Sequence, residues 1–276
     1  MRFTSFGFVS LLLFACGEPA STKGPVAPQS SGGTAAPVAP AEQHVAKVEV
    51  PAAIQAVVDA ADRDPADKAL DAGRKPAEML AFAGVKPGMR VAELGAGGGY
   101  TAELLARAVG PTGIVYGHNT QMLLEKFAEK PWTERLAKPV NKNVVRVTRE
   151  FDEPLPPEAN NLDVVILNVF YHDTFWMKTD QAKLNANVLR SLKPHGVYLI
   201  IDHSGRPGTG TTEVQSLHRI EEAVVRKDLA AANFTLAASA DFLRNPADTR
   251  DWSASPGKAA ERRGTSDRFV LKFVKP

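Results

Sequence analysis

Val91-Ala92-Glu93-Leu94-Gly95-Ala96-Gly97-Gly98-Gly99-Tyr100 joins an apolar run to a glycine cluster, and a helix-forming stretch, Tyr100 to Val109, follows. Arg90 to Leu94 has the composition of a strand buried on both faces. Glycine accepts the left-handed backbone of a tight turn and lets main chain approach a ligand closely. The segment therefore predicts strand, ligand-facing loop, helix. A dinucleotide fingerprint, G-x-G-x-x-G, counted from Gly95 puts Tyr100 where the third glycine belongs, and fails. The pattern E-L-G-x-G-x-G fits at every position, through Glu93, Gly95, Gly97 and Gly99. The plain alternative is a glycine-rich turn that binds nothing.

Outward from this loop, strand and helix patterns alternate. Before it, Ala52 to Arg63 has helical apolar spacing, and so does the segment opened by Pro76 and closed at Gly84. After it, strands are expected at Gly113–Gly117, Val144–Val147, Leu162–Leu167, Val197–Ile201, Phe234–Ala240 and Phe269–Val274. Helices are expected at Thr120–Lys130, Asp180–Leu192 and Leu217–Ala232, and Lys193-Pro194-His195-Gly196 reads as a turn with His195 on the surface. This pattern predicts an α/β fold: a Rossmann-like, seven-stranded, mainly parallel sheet with helices on both faces. Ligands of such sheets bind beyond the carboxyl ends of the strands.

Composition narrows the class. The chain has 276 residues, 44% of them hydrophobic and 23% charged, with a formal net charge of +2. That excludes collagen-like, disulfide-scaffold and wholly disordered chains. No basic stripe is present, so no nucleic-acid partner is expected. Cys16 is the single cysteine, so neither an internal disulfide nor a cysteine-based zinc site can form.

The N-terminus reads as an address and a spacer. Arg2 precedes an apolar run, Phe3 to Ala15, which is shorter than the ~20 residues that span a bilayer. It has the anatomy of a secretory signal peptide. Leu13-Phe14-Ala15-Cys16-Gly17 resembles the bacterial lipobox, although Phe14 is bulky for its place; a plain signal peptide with a chance cysteine is the alternative. The resemblance implies a signal peptide over 1–15, a lipidated Cys16 as mature N-terminus, and the membrane as a partner. It places the protein in the cell envelope, on the periplasmic face of the outer membrane, since Gly17 and not Asp follows the cysteine. Residues 16–51 are rich in Pro, Ala, Ser and Gly and are expected to be a disordered tether, in which His44 has no role. Residues 52–276 form the domain.

The glycine loop resembles motif I of the class I S-adenosylmethionine-dependent methyltransferases, and the likeness extends over most of residues 75–276. Arg74-Lys75-Pro76 and Gly84-Val85-Lys86-Pro87-Gly88-Met89 resemble the approach to the first strand. Asn161-Leu162-Asp163-Val164-Val165 resembles the entry to strand 4, and Leu192-Lys193-Pro194-His195-Gly196 the turn before strand 5. Tyr171-His172-Asp173, Ile201-Asp202-His203-Ser204, Arg219 and Asp267-Arg268-Phe269 resemble a bacterial branch of these enzymes.

The resemblance implies S-adenosylmethionine as cofactor. Gly95, Ala96, Gly97 and Gly99 would pass beneath its amino-acid portion, with Glu93 near the ammonium. Asn119 would take the ribose position, where many relatives carry an acid; an amide lacks the charge-assisted bond. Asp152 would meet the adenine amino group, with Glu150 as competitor, and Asn168 would lie at the strand-4 exit facing methyl group and acceptor.

Transfer to a neutral acceptor calls for a base near neutral pH. His172 is the first candidate, with Tyr171 and Asp173 beside it, and His203, beside Asp202, is the second. Convergence of His172, Asp173, Asp202 and His203 on a metal is an alternative, but no short ligand spacing supports it, so no metal is assigned. Phe170, Tyr171, Phe175 and Trp176 either line an acceptor pocket or pack a helix. Ser204 to Thr212 is a candidate lid, and Arg244 to Gly264 a long polar loop. The expected function is methyl transfer to a small-molecule or envelope acceptor. The alternative is a catalytically inactive, methyltransferase-like lipoprotein that binds a ligand or partner, because export separates the domain from a cytosolic cofactor. A nicotinamide-dependent oxidoreductase is disfavoured by Tyr100 and by the missing ribose acid.

Overall fold

The computed structural model describes residues 45–276; the expected signal peptide, Cys16, His44 and the expected spacer before Val45 lie outside the described residues. Three helices, α1 (Ala52–Asp59), α2 (Pro65–Arg74) and α3 (Pro76–Ala83), precede β1 (Arg90–Leu94) and α4 (Tyr100–Val109). Then come β2 (Ile114–Asn119), α5 (Gln121–Leu123), a π-helical stretch Leu124–Ala128, α6 (Glu129–Leu136) and β3 (Val144–Thr148). The chain continues through β4 (Leu162–Asn168), α7 (Tyr171–Trp176), α8 (Gln181–Ser191) and β5 (Leu192–His203). It ends with α9 (Glu222–Ala231), β6 (Thr235–Ala240) and β7 (Arg268–Val274).

The seven strands form one sheet in the order β3-β2-β1-β4-β5-β7-β6. All neighbours pair in parallel except β7, which runs antiparallel to β5 and β6. The strand order reverses between β1 and β4, so a crevice opens where these two strands end. Side-chain alternation feeds two cores. Ala92, Leu94, Val165, Leu167, Tyr198 and Ile200 face one layer, and Val91, Val164, Ile166, Leu199 and Ile201 face the other. Among the described residues no helix is long and apolar enough to cross a membrane.

Three expectations are corrected. The ordered domain begins before residue 52: Ala46 N donates to Ser239 O (2.9 Å), and Ala46, Val48 and Val50 pack on the second core. Apolar side chains at alternate positions give this part of the spacer a face to bury. The first helix stops at Asp59, because the Arg63 guanidinium turns back to Val58 O (2.6 Å) and Asp71 (2.7 and 2.9 Å). The helix expected from Leu217 begins only at Glu222. Arg219 is fully buried against Asp248 (2.8 Å), and Ile220 bridges to Ser204, so residues 217–220 are drawn into a loop over the end of β5.

Candidate active site

The glycine loop connects β1 to α4, and Gly95, Gly97 and Gly99 all have positive φ (67°, 55° and 82°). Its amides turn back onto the end of β2. Gly95 N donates to His118 Nδ1 (3.4 Å), Ala96 N to His118 O (2.8 Å) and Gly97 N to Asn119 Oδ1 (2.8 Å). Asn119 Nδ2 donates in return to Gly97 O (3.1 Å). Burial lowers His118 to about 4, and its Nε2 donates to Arg149 O (2.9 Å), which leaves Nδ1 to accept. Amides held this way do not cradle a pyrophosphate.

From behind, Trp132 fills the space beside the loop. A Cβ on Gly99 would lie 2.4 Å from the Trp132 ring, and one on Gly117 2.6 Å from it. Arg135 donates to Gly98 O and pairs with Asp67 (2.6 Å) and Glu103 (2.7 Å). On the front, a Cβ on Gly97 would meet nothing within 4 Å, whereas one on Gly95 would lie 3.0 Å from the Phe170 ring. Phe170 stacks on Phe151 (5.1 Å), which meets His118 edge-on (4.9 Å).

Glu93 ends β1 in the same crevice, 4% exposed. Its Oε2 has no hydrogen-bond partner. Burial pushes the carboxyl up to about 8, against the opposing pull of Thr101 and Arg74. Arg74 lies over the Tyr100 ring (4.3 Å), and burial lowers it from its ordinary value. An orphaned acid, a half-buried cation and an open glycine face fit the ammonium, carboxylate and chain of an amino-acid moiety. Arg74 was quoted in the sequence only as part of an approach turn; its role follows from the return of α2 to the sheet.

One expected cofactor contact is corrected. Asn119 is fully buried, with both ends of its amide engaged by Gly97, so it clamps the loop and does not face a ribose. Asp152 Oδ1 accepts from Asp180 N (2.8 Å) and ties its turn to the start of α8. Asn168 remains at the β4 exit, half-buried, with Nδ2 3.7 Å from Met79 Sδ.

On the acceptor side, His172 and Asp173 open α7. His172 Nδ1 donates to Asp202 Oδ1 (2.7 Å), while Asp202 also accepts from His172 N (2.7 Å) and His203 N (2.7 Å). His172 Nε2 lies 3.1 Å from Asp173 Oδ1 and 3.2 Å from His218 Nδ1. Burial works against a charge on His172, but Asp202 and Asp173 outweigh it and raise the imidazole to about 10. Burial likewise opposes ionisation of Asp173, and the neighbouring His172 and His218 overcome it, holding the carboxyl well below its usual range. Flanked so, the His172 imidazole favours its charged form.

Burial, reinforced by His172, pushes His203 well below its ordinary value; its Nδ1 contacts Ser266 Oγ (2.8 Å), and its ring is 5.8 Å from that of His172. Tyr171 is corrected outright: it is fully buried in the first core, bonded to Asp228 (3.3 Å) and Asn185 (3.1 Å). The convergence of His172, Asp173, Asp202 and His203 is corrected too, because Asp202 sits behind His172 and the third inward group is His218. The 244–264 loop is fastened by Asn245 N to Asp267 (2.8 Å), Arg250 to Asp267 (2.8 Å) and Ala254 N to Leu217 O (2.8 Å).

The fold is similar to that of solved proteins. A SAM-dependent methyltransferase from Aquifex aeolicus is 20% identical with a TM-score of 0.53, over 79% of this chain and 97% of that one. An arsenic(III) S-adenosylmethionine methyltransferase from Chlamydomonas reinhardtii is 18% identical with a TM-score of 0.50, over 82% and 74%. The fold is that of the S-adenosylmethionine-dependent methyltransferases. Residues 49–147 match the family model of protein-L-isoaspartate(D-aspartate) O-methyltransferase (PCMT), which is less than half of the chain. No curated protein matches.

Proposed function

We propose that the chain is an S-adenosylmethionine-dependent methyltransferase acting on a small-molecule or envelope acceptor. The observation that carries this is the Glu93 carboxyl, buried near the end of β1 with Oε2 unpartnered, in the strand that leads into the loop where a Cβ on Gly97 would meet nothing within 4 Å. Glu93 would take the cofactor ammonium and Arg74 its carboxylate, while Gly95 to Gly99 shape the floor. When bound, the cofactor supplies an electrophilic sulfonium methyl group. The chain's own share is positioning and exclusion of water. Phe170 and Phe151 wall the crevice on one side, and the α7 cluster faces the acceptor. Calorimetry of the full chain with S-adenosylmethionine and S-adenosylhomocysteine tests the reading. Saturable binding that Glu93→Ala removes is expected; no heat from either ligand at millimolar concentration overturns it.

A second reading, a catalytically inactive binding lipoprotein, is favoured by one observation: Asn119 is spent on Gly97, and no acid stands at the ribose position. Incubation with methyl-labelled cofactor and envelope extract separates the two. Label in an acceptor supports the enzyme; binding without transfer supports the second reading.

We also propose that Cys16 anchors the chain in the envelope. A fatty-acid probe should label the wild-type chain and not Cys16→Ser, which should leave the membrane fraction. An unlabelled wild type would exclude the anchor.

A further inference from the structure

His172 Nε2, Asp173 Oδ1 and His218 Nδ1 form a near-equilateral triangle, with sides of 3.1, 3.2 and 3.2 Å. Around a cation with bonds of ~2.1 Å, donors stand about 3.0 Å apart at right angles and about 3.4 Å apart in a tetrahedron. The triangle falls between these values. We propose that His172, Asp173 and His218 are a two-histidine, one-carboxylate site for a divalent transition-metal ion.

Hydrogen bonds serve at most two of the three mutual contacts, because each of the two ring nitrogens carries at most one proton. Asp173 Oδ1 already accepts from Trp176 Nε1 (2.6 Å). One cation engages all three lone pairs at once.

The surroundings are those of a built site. His172 Nδ1 donates to Asp202, which orients the ring so that Nε2, on giving up its proton to an arriving cation, faces the triangle; a carboxylate behind a ligating histidine orients the ring in metal sites generally. Asp202 is fully buried and is held by two backbone amides, so it does not compete as a ligand. His218 is set from both sides. Leu217 O accepts from Ala254 N (2.8 Å), and Arg219 is locked to Asp248 and to Ser204 O (3.1 Å).

Burial is graded across the triangle. The side chains of His172, Asp173 and His218 are 2%, 13% and 25% exposed, so the open coordination positions face outward from His172. An N₂O donor set without thiolate suits Zn²⁺, Fe²⁺, Co²⁺ or Mn²⁺ and not Ca²⁺ or Mg²⁺, which take oxygen. Three protein ligands leave positions for an outside group, as in catalytic sites. The site lies at the carboxyl ends of β4 and β5, on the acceptor side of the crevice, and its existence does not depend on the methyltransferase reading.

The test is a titration of the chelator-treated full chain with Co²⁺, read by visible absorption and by metal analysis. One equivalent with nitrogen and oxygen ligation, and no sulfur-to-cobalt charge transfer, is expected. His218→Asn removes the imidazole while keeping a residue that tolerates the φ of 52° at this position. It and Asp173→Ala should abolish stoichiometric binding, with folding checked by circular dichroism. Asp202→Asn should weaken binding roughly 10- to 100-fold. His195→Ala, exposed near the start of β5, should bind as wild type. No binding of Co²⁺, Zn²⁺, Fe²⁺ or Mn²⁺ at equimolar metal, or full binding by folded His218→Asn, overturns the site. Neither result bears on the calorimetry with S-adenosylmethionine.

Discussion

Glu93 and the three left-handed glycines lead to predictions about single residues. The carboxyl titrates near 4.5 in an unfolded chain and is pushed by burial up to about 8 in the folded one. Between these pH values the folded state holds a proton that unfolding releases. The stability of the cofactor-free chain is therefore fully present below about pH 4.5, as far as this group contributes, and is lost as pH rises through 8. Glu93→Gln should flatten that decline in urea unfolding, while the same variant loses cofactor binding. The glycines separate fold from ligand. Gly99→Ala forces a methyl group into Trp132 at a φ of 82° and should cost about 2 kcal/mol or more in urea unfolding. Gly97→Ala meets no neighbour within 4 Å. It should cost only ~1–2 kcal/mol of backbone strain, yet it should abolish the calorimetric signal for S-adenosylmethionine, because its methyl group projects into the ligand face.

At the level of elements, α6 and the 217–220 loop hold the site from opposite sides. Arg135 joins α6 to α2, to α4 and to the glycine loop through Asp67, Glu103 and Gly98 O. Arg135→Met leaves Glu103, 2% exposed, with fewer cations, and should destabilise by about 3 kcal/mol in denaturant unfolding. The strands and the glycine loop were legible because period-two burial and left-handed glycines leave local marks in sequence. His218 was not legible. Leu217 to Ala232 carries helical apolar spacing, and the contact that breaks the helix, Arg219 with Asp248, spans a long sequence separation. Asn119 is illegible for a related reason: its position at a strand end is visible in sequence, but the Gly97 backbone groups that engage both ends of its amide are not. Tyr171 was taken for chemistry because it neighbours His172, whereas residues successive on a short helix face different layers. Asp248→Asn should loosen the loop, lower stability by several kcal/mol and weaken Co²⁺ binding together.

Across the whole molecule, a ligand that binds only the folded state raises the melting temperature with concentration, by ~2.7 kcal/mol of stabilisation at a hundredfold excess over Kd. S-adenosylhomocysteine should shift the wild-type melt and leave that of Glu93→Ala unmoved. The segment around Val45 has a consequence of a different kind. β6 is the last strand of the sheet, and Val45 bridges it in parallel at Ser239, with Ala46 N on Ser239 O. A bare sheet edge is a template on which a second chain can add a strand. Residues 45 and 46 occupy part of that edge, so removing residues 45–50 bares it, and the light scattering of the shortened protein should grow with time faster than that of the full chain.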